Sequence, residues 1–325
     1  MRQARVGSCL TRVADVRRVC VASPAVLDRV RALAPDLELL QSALVWQNAA
    51  APPDEVADIE FWVPPFLGSD QDAARAAVAQ MVNLKVIQTQ SAGVDAILPV
   101  VPDGVTLCDA RGVHGSSTSE WALTAILSVL REFPRFERAR QARHWDQTAT
   151  DELAGKQVLI IGAGDVGRQL ARRLSACDAT PVFVARTARE DVHSMAELPQ
   201  LLPEADVVVL IVPKTSETIG MVDAAFLSRL KDGALLVNAA RGPVVDTDAL
   251  LAELQAGRIR AALDVVEPEP LPADHPLWLA PNLLITPHVG GAVPGLAGRF
   301  AELLAAQLRR FSNGEPLENV VEGEY

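Results

Sequence analysis

The chain has 325 residues, 49% apolar, 22% charged and 4% aromatic, a length that suggests about two domains and a composition that excludes long disordered stretches. Its 41 acidic and 30 basic side chains leave a formal charge of -11, which removes the electrostatic case for nucleic acid or an anionic membrane surface as a partner. An anionic metabolite therefore needs a local pocket of Arg. The four Cys, at 9, 20, 108 and 177, show no CxxC spacing and lie in or beside apolar runs, so neither a disulfide framework nor a metal site follows. Charges interrupt every short apolar stretch of the N-terminus, and no run reaches the ~18 apolar residues of a membrane span. The sequence predicts a cytoplasmic chain with no membrane partner.

In chain order, short Val/Ile/Leu runs alternate with Ala/Leu/Arg stretches of helical period, the pattern of parallel sheets with crossover helices. Strands are expected near 18–22 (RVCVA), 37–40, 58–63 (DIEFWV), 84–88 (LKVIQ) and 105–109 (VTLCD), with helices near 24–34 and 70–81. A long helix is expected from about 117, where SSTSE offers a Ser or Thr cap followed by Glu, through WALTAILSVLREF toward 140. Six strands follow: QVLIIG, PVFVA, DVVVLIV, GALLVNAA, IRAALDV and LLIT. Strands separated in this way describe a doubly wound dinucleotide-binding sheet. One more amphipathic helix is expected at roughly 294–311.

The turn GAGDVG, Gly162 to Gly167, stands between the strand VLII and the helix RQLARRL. In that place Gly162 allows the tight turn, Gly164 lets backbone approach a pyrophosphate, and Gly167 lets the helix pack closely. The end of the next strand, where an NAD-binding unit usually carries an Asp or Glu for the ribose 2′-hydroxyl, holds Arg186, followed by Thr187 and Arg189. Two guanidiniums and a hydroxyl suit an adenosine 2′-phosphate, although Glu190 and Asp191 stand close enough in sequence to take the ribose instead.

Three polar residues follow later strands: Arg241 after LLVNAA, Glu269 beyond Asp264 of ALDV, and His288 after LLITP. Each alone reads as a surface residue. Together they supply a cation for a carboxylate, an imidazole to move a proton, and a carboxylate to orient that imidazole, which is a complete set for reducing a 2-keto acid.

With these residues in place the chain resembles the D-isomer-specific 2-hydroxyacid dehydrogenase family over nearly all its length. SAGVD at 91–95, TSEWAL at 118–123, GAGDVG at 162–167, VPKTSET at 212–218, LLVNAARGPVVD at 235–246, ALDVVEPEPLP at 262–272 and LLITPHVGG at 283–291 carry the resemblance. It implies an α/β fold of two doubly wound parallel-sheet domains, one Rossmann-like and one flavodoxin-like, with an interdomain cleft. Residues 1–113 plus 292–325 would form the substrate domain and 114–291 the dinucleotide-binding domain.

The resemblance further implies His288 as acid/base, Glu269 as its partner and Arg241 as the substrate clamp. It places Asp264 near the nicotinamide carboxamide, Thr118 on the nicotinamide side, and further cofactor contacts at Gly162, Gly164, Asp165, Val166, Gly167, Arg186, Thr187, Arg189, Val212, Pro213, Thr218, Ala239 and Gly290. Backbone N–H groups of Ala92, Gly93 and Val94 would take the substrate carboxylate. Trp62 and Phe66 of WVPPFLG would border the substrate side chain and favour a keto acid with some hydrophobic body over glyoxylate. Arg186 departs from the family's commoner Asp and favours NADP(H) over NAD(H).

A small 2-keto or 2-hydroxy acid as substrate and a homodimer built largely from cofactor domains complete the implied picture. His114, His144, His193 and His275 read as structural or solvated residues, and most of the Trp residues as core. Two rival readings stand beside the reductase: a non-catalytic dinucleotide-sensing interaction protein of the co-repressor type, and a phosphite- or formate-type dehydrogenase. Glu269 argues against the formate type, which resembles a Gln–His pair.

Overall fold

A computed structural model describes residues 18–47, 52–65 and 71–323. Its chain forms two compact units, one of Met1–Gln90, Ala96–Asp109 and Phe300–Val321, the other of Ser91–Asp95, Ala110–Arg299 and Glu322–Tyr325. Among the described residues no helix is long and apolar enough to cross a membrane.

The first unit contains β1 (Arg18–Val21), α1 (Pro24–Leu33), β2 (Leu44–Val45), β3 (Ile59–Val63), α2 (Gln71–Val78), β4 (Val86–Gln88) and β5 (Thr106–Cys108). Its five strands pair in the order β2-β1-β3-β4-β5, all parallel, the 2-1-3-4-5 order of flavodoxin-like sheets. Ser23 starts α1 by accepting the Val26 N–H, with Pro24 in the first turn, where its missing N–H costs nothing. The expected strand at 37–40 is instead a 3-10 turn over Glu38–Leu40, and Leu44–Val45 pairs with β1 in its place. Leu37, Leu39 and Leu40 are all buried, so the turn puts its apolar residues into the core without alternating faces, which a short apolar run allows equally well.

The second unit contains α3 (Gly115–Leu130), α4 (Phe133–Gln141), β6 (Gln157–Ile161), α5 (Asp165–Ser175), β7 (Thr180–Ala185), β8 (Val192–Ser194), α6 (Leu198–Leu201), β9 (Val207–Leu210), α7 (Ala224–Leu227), β10 (Leu235–Asn238), α8 (Thr247–Gln255), β11 (Arg260–Leu263) and β12 (Leu283–Ile285). These strands form one seven-stranded parallel sheet in the order β12-β11-β10-β9-β6-β7-β8. The strand order reverses between β6 and β9, the place where open α/β sheets bind ligands. The short edge strand β8 adds to the six expected. Both faces are covered. Val158, Ile160, Val207 and Val209 pack with Ala122, Ile126, Leu170 and Leu174 of α3 and α5. Leu159, Ile161, Val208 and Leu210 pack on the other face with Phe226, Leu227, Leu250 and Leu254 of α7 and α8.

The helix expected from 117 to 140 differs at both ends of its description. It starts at Gly115 with His114 as cap residue, not a Ser or Thr, and it breaks at Glu132, whose φ of 51° is left-handed. Pro134 explains the break, because it removes an N–H and crowds the preceding turn, so α4 begins afresh. The last helix, α9 (Leu296–Asn313), buries Phe300, Ala301, Leu304, Ala305 and Leu308. Within the first unit its Gln307 is fully buried and donates to Gln88 Oε1 of β4 at 2.9 Å, while Gln88 donates to the Asp109 carbonyl at 2.8 Å. Each buried amide thus finds a partner, as burial demands.

Cys20, wholly buried in β1, has its thiol pushed up to about 12 by loss of solvation. At pH 8 only about one such thiol in ten thousand is thiolate. Maleimide labelling of the folded protein at pH 8, read by peptide mass spectrometry, is expected to leave Cys20 unmodified and to modify it once guanidinium unfolds the chain. Rapid labelling of native Cys20 would contradict this packing.

Candidate active site

At the carboxyl end of β6 the three glycines divide the work. Gly162 has φ +123°, and a Cβ there would stand 2.1 Å from the Ile211 carbonyl oxygen. A Cβ on Gly167 would stand 2.2 Å from the Gly162 carbonyl oxygen. Both are therefore demanded by packing of strand, turn and helix. Gly164 is different: nothing lies within 4 Å of its missing Cβ, and it caps α5 without a side-chain hydrogen bond. The open cradle and the positive end of the helix dipole fit a pyrophosphate there. Asp165, in the first turn, accepts from Gln169 Nε2 at 3.0 Å and lies against Gly115 of α3, whose added Cβ would meet Asp165 Oδ2 at 1.8 Å. Val166 is half-buried beside it, and Thr118 sits in the first turn of α3, its N–H bonded to the His114 carbonyl at 3.0 Å.

The segment after β7 reverses through Asp191, whose φ is 57°, into β8. Arg186 is largely exposed, and its Nε lies 3.5 Å from Glu217 Oε2 of the loop after β9. Arg189 reaches back to the Gly-rich turn and donates from Nη2 to the Ala163 carbonyl at 3.2 Å. Thr187 is exposed between them. In the loop after β9, where Val212 and Pro213 are half-buried, Thr218 donates its hydroxyl to the Pro213 carbonyl at 2.6 Å and accepts the Thr215 N–H at 2.8 Å. That hydroxyl shapes its own loop. Ala239, one step past β10, donates its N–H to the Leu210 carbonyl at 3.1 Å.

Arg241 follows at the end of β10. Buried Asn238 shapes the turn, donating from Nδ2 to the Arg241 carbonyl and accepting the Ala240 N–H, each at 3.0 Å. The guanidinium donates from Nε to Asp95 Oδ1 at 3.2 Å and from Nη1 to the Ala240 carbonyl at 2.8 Å. Its Nη2 lies over Gly93, where an added Cβ would stand 1.5 Å away. A side chain at 93 would therefore displace the Arg241 guanidinium from this place. Ala92, Gly93 and Val94 thus lie in the segment that carries the Arg241 partner, and Ser91 braces that segment by donating from its hydroxyl to the Gly93 carbonyl at 2.7 Å.

His288 and Glu269 meet directly, Nδ1 to Oε1, at 2.6 Å, with the two side chains 41% and 40% exposed. The carboxylate only accepts, so Nδ1 carries the shared hydrogen and Nε2 is left for other work. His288 has φ +53°, a left-handed backbone that costs on the order of 1–3 kcal/mol and persists only where neighbours hold it. Asp264 holds it. The Asp264 carbonyl accepts the His288 N–H at 2.7 Å, Oδ1 accepts the Val289 N–H at 2.9 Å and the Thr286 hydroxyl at 2.6 Å, and Oδ2 accepts the Gly290 N–H at 2.8 Å. Trp121 Nε1 in turn donates to Thr286 Oγ1 at 3.0 Å.

Of the other histidines, His114 lies beside this cluster, and His144, His193 and His275 make contacts elsewhere. His193 Nδ1 pairs with Glu197 on the surface at 2.7 Å, and His275 Nδ1 accepts the Leu277 N–H at 3.2 Å as a helix cap. His144 bonds through its backbone to Ala139, and His114 packs its ring against Gly291. Trp62 corrects the expectation of a substrate border: it is fully buried in β3, 5.8 Å from the Trp46 ring centroid, because its strand is covered on both faces. Phe66 lies outside the described residues. Asp95, Glu217, Thr286 and Trp121 were not singled out from sequence; each sits inside or beside a quoted motif, but nothing in its spacing names its partner. Among the described residues no His, Cys, Asp and Glu cluster suited to a metal ion occurs.

A family model described as D-isomer specific 2-hydroxyacid dehydrogenase, NAD binding domain, matches residues 123–290. A glyoxylate reductase of Thermofilum pendens is 36% identical over 248 residues, spanning 72% of this chain and 73% of that protein. A solved D-isomer specific 2-hydroxyacid dehydrogenase of Xanthobacter autotrophicus, in complex with NADPH and MES, superposes with a TM-score of 0.79 at 29% identity, over 94% of this chain and 98% of that one. A solved NADPH-dependent glyoxylate/hydroxypyruvate reductase of Sinorhizobium meliloti, in complex with NADP and sulfate, gives 0.80 at 27% identity, over the same 94% and 98%. The matched model covers the glycine turn and the ends of every later strand, and on that ground the chain belongs to the D-isomer specific 2-hydroxyacid dehydrogenase family.

Proposed function

We propose that the chain reduces a small 2-keto acid to the D-2-hydroxy acid, with NADPH preferred over NADH, through His288 as acid/base, Glu269 as its partner and Arg241 as substrate clamp. Family membership makes it an NAD(P)-dependent 2-hydroxyacid dehydrogenase. The observation that carries the finer reading is the His288–Glu269 pair at 2.6 Å on the same sheet edge as Arg241 and the glycine turn.

When bound, the nicotinamide cofactor supplies the hydride that the substrate carbonyl carbon accepts. Gly164 and the start of α5 would hold its pyrophosphate. Arg241, with Nε and Nη1 bonded to Asp95 and Ala240 and Nη2 against Gly93, would together with the backbone of Ala92–Val94 hold the substrate carboxylate, so that the carbonyl is oriented before reaction. Nδ1 of His288 is committed to Glu269, so Nε2 is the atom that gives a proton to the carbonyl oxygen. Arg241 would also stabilise the charge developing on that oxygen.

The preference for NADPH rests on Arg186 and Arg189, guanidiniums whose donor forks match phosphate oxygens, and on the NADPH and NADP held by the X. autotrophicus and S. meliloti relatives. With Trp62 in the core, the argument for a hydrophobic substrate body rests on Phe66 alone, outside the described residues. The glyoxylate named for the T. pendens relative leads the candidates.

Steady-state rates over a panel of 2-keto acids, each with NADPH and NADH, test the whole reading; no turnover with any acid would refute it. His288→Ala is expected to lower kcat by about two to four orders of magnitude while calorimetry shows unchanged NADPH binding. Arg186→Asp should reverse the cofactor preference, by about tenfold in kcat/KM and less at high salt, because the site is exposed and screened. An unmodified enzyme with lower KM for NADH than for NADPH would show that Arg186 stays with Glu217 and does not serve the ribose.

A further inference from the structure

We infer that Thr286, backed by Trp121, is a positioning residue that holds His288 at the angle its acid–base role needs; the inference rests on that role as proposed above. Trp121 lies on α3 and Thr286 directly after β12, 165 residues apart in sequence, yet their side chains meet at 3.0 Å.

The direction of every bond in this chain is determined. An indole N–H only donates, so Thr286 Oγ1 accepts from Trp121. The hydroxyl's single proton is then given to Asp264 Oδ1 at 2.6 Å. The Asp264 carboxylate also receives the N–H groups of Val289 and Gly290, at 2.9 and 2.8 Å, and its carbonyl receives that of His288 at 2.7 Å. Three consecutive N–H groups, beginning at the left-handed His288, thus bond to Asp264, the first of them shared with the Thr286 carbonyl at 3.0 Å, and the Asp264 carboxylate is itself oriented by the Thr286 hydroxyl.

Little slack exists around this arrangement. Asp264 is 5% exposed, so a carboxylate that turned away from its donors would not find water in their place. A Cβ on Gly290 would stand 2.8 Å from Asp264 Oδ2 and 3.3 Å from Trp121 Cγ, which shows how closely the turn, the carboxylate and the indole approach. The His288 side chain is 41% exposed and bonded at Nδ1 to Glu269, so its aim depends on that bond and on the backbone turn that Asp264 holds. Loss of the Thr286 hydroxyl frees the carboxylate to rotate, and the left-handed turn loosens with it. A shift of about an ångström at a reacting group is enough to slow the chemistry strongly.

The test uses the full chain with the best 2-keto acid of the panel. Thr286→Val keeps the shape and removes both hydrogen bonds; it is expected to lower kcat about tenfold with KM and the NADPH dissociation constant within about twofold. Thr286→Ser, which restores the hydroxyl, should stay within about threefold of the unmodified kcat. In the His288→Ala background, Thr286→Val should change the residual rate by less than about twofold, because residues that act through one another are not additive. Unchanged kcat in Thr286→Val would overturn the inference, as would Ser failing to rescue, or an undiminished effect in the His288→Ala background. If Thr286→Val does not fold by circular dichroism, Trp121→Phe, which removes the indole N–H together with part of the ring, takes its place, with a threefold or larger loss of kcat expected and none overturning the inference. An active His288→Ala would sink the acid–base role and this inference with it; an inactive His288→Ala beside a fully active Thr286→Val sinks this inference alone.

Discussion

Parallel pairing of five strands in one register is the constraint on which the candidate site depends. Ile161, Leu210, Asn238, Leu263 and Ile285, the last residues of β6, β9, β10, β11 and β12, stand in one row across the sheet. The residue after each then continues the ladder: Ile211 donates to Ile161, Ala239 to Leu210, Asp264 to Asn238 and Thr286 to Leu263, at 2.8 to 3.1 Å. Because parallel strands must be joined by crossovers that return to the opposite edge, all five chains turn away at the same edge. Glycine turn, Arg241, Asp264 and His288 are neighbours for that reason, although 126 positions separate the first and last of them (162 to 288) in the sequence.

Where the ladder ends, backbone polar groups lose their partners while still near the core, and buried polar side chains take over. Asn238 and Asp264, on adjacent strands, do the same work. Asn238 is 1% exposed and closes the turn that presents Arg241; Asp264 is 5% exposed and closes the turn that presents His288. In both cases the residue that would touch substrate is directed by backbone, and the backbone is directed by a side chain that would not touch substrate. Rigid positioning of this kind is what lets exposed groups act with a fixed geometry.

The second unit was legible in the sequence because its central strands β6, β9 and β10 are buried on both faces and read as unbroken Val, Ile and Leu runs, each closed by a turn signal. The glycine turn was legible for a related reason, since Gly162 and Gly167 answer to packing that no other residue satisfies. Elements whose identity rests on distant partners were not. Leu37 to Leu40 has the composition of a strand but coils into a 3-10 turn, because the edge position beside β1 goes to Leu44–Val45. β8 is three residues long and exists through its pairing with β7. Trp62 looked like a strand-end residue facing substrate, and only the cover on both faces of β3 shows it as core. The partners Asp95 of Arg241, Glu217 of Arg186 and Trp121 of Thr286 are likewise tertiary facts, with no periodicity to announce them.

On the proposed roles, chemistry and cofactor selectivity would draw on different physics in this chain. Trp121 and Thr286 are half-buried and Asp264 is buried, so the hydrogen bonds among them are partly shielded from water and a missing partner on the Asp264 carboxylate is costly. Arg186 and Glu217 are 64% and 70% exposed at 3.5 Å, where attraction is weak, screened within a Debye length of ~8 Å and readily exchanged for a ligand's charge. If Arg186 serves the ribose as proposed, a change there would alter which dinucleotide is preferred without disturbing the His288–Glu269 pair. The reverse does not hold, because His288 depends on a turn whose carboxylate, hydroxyl and indole cannot be changed one at a time without leaving a buried polar atom unpaired.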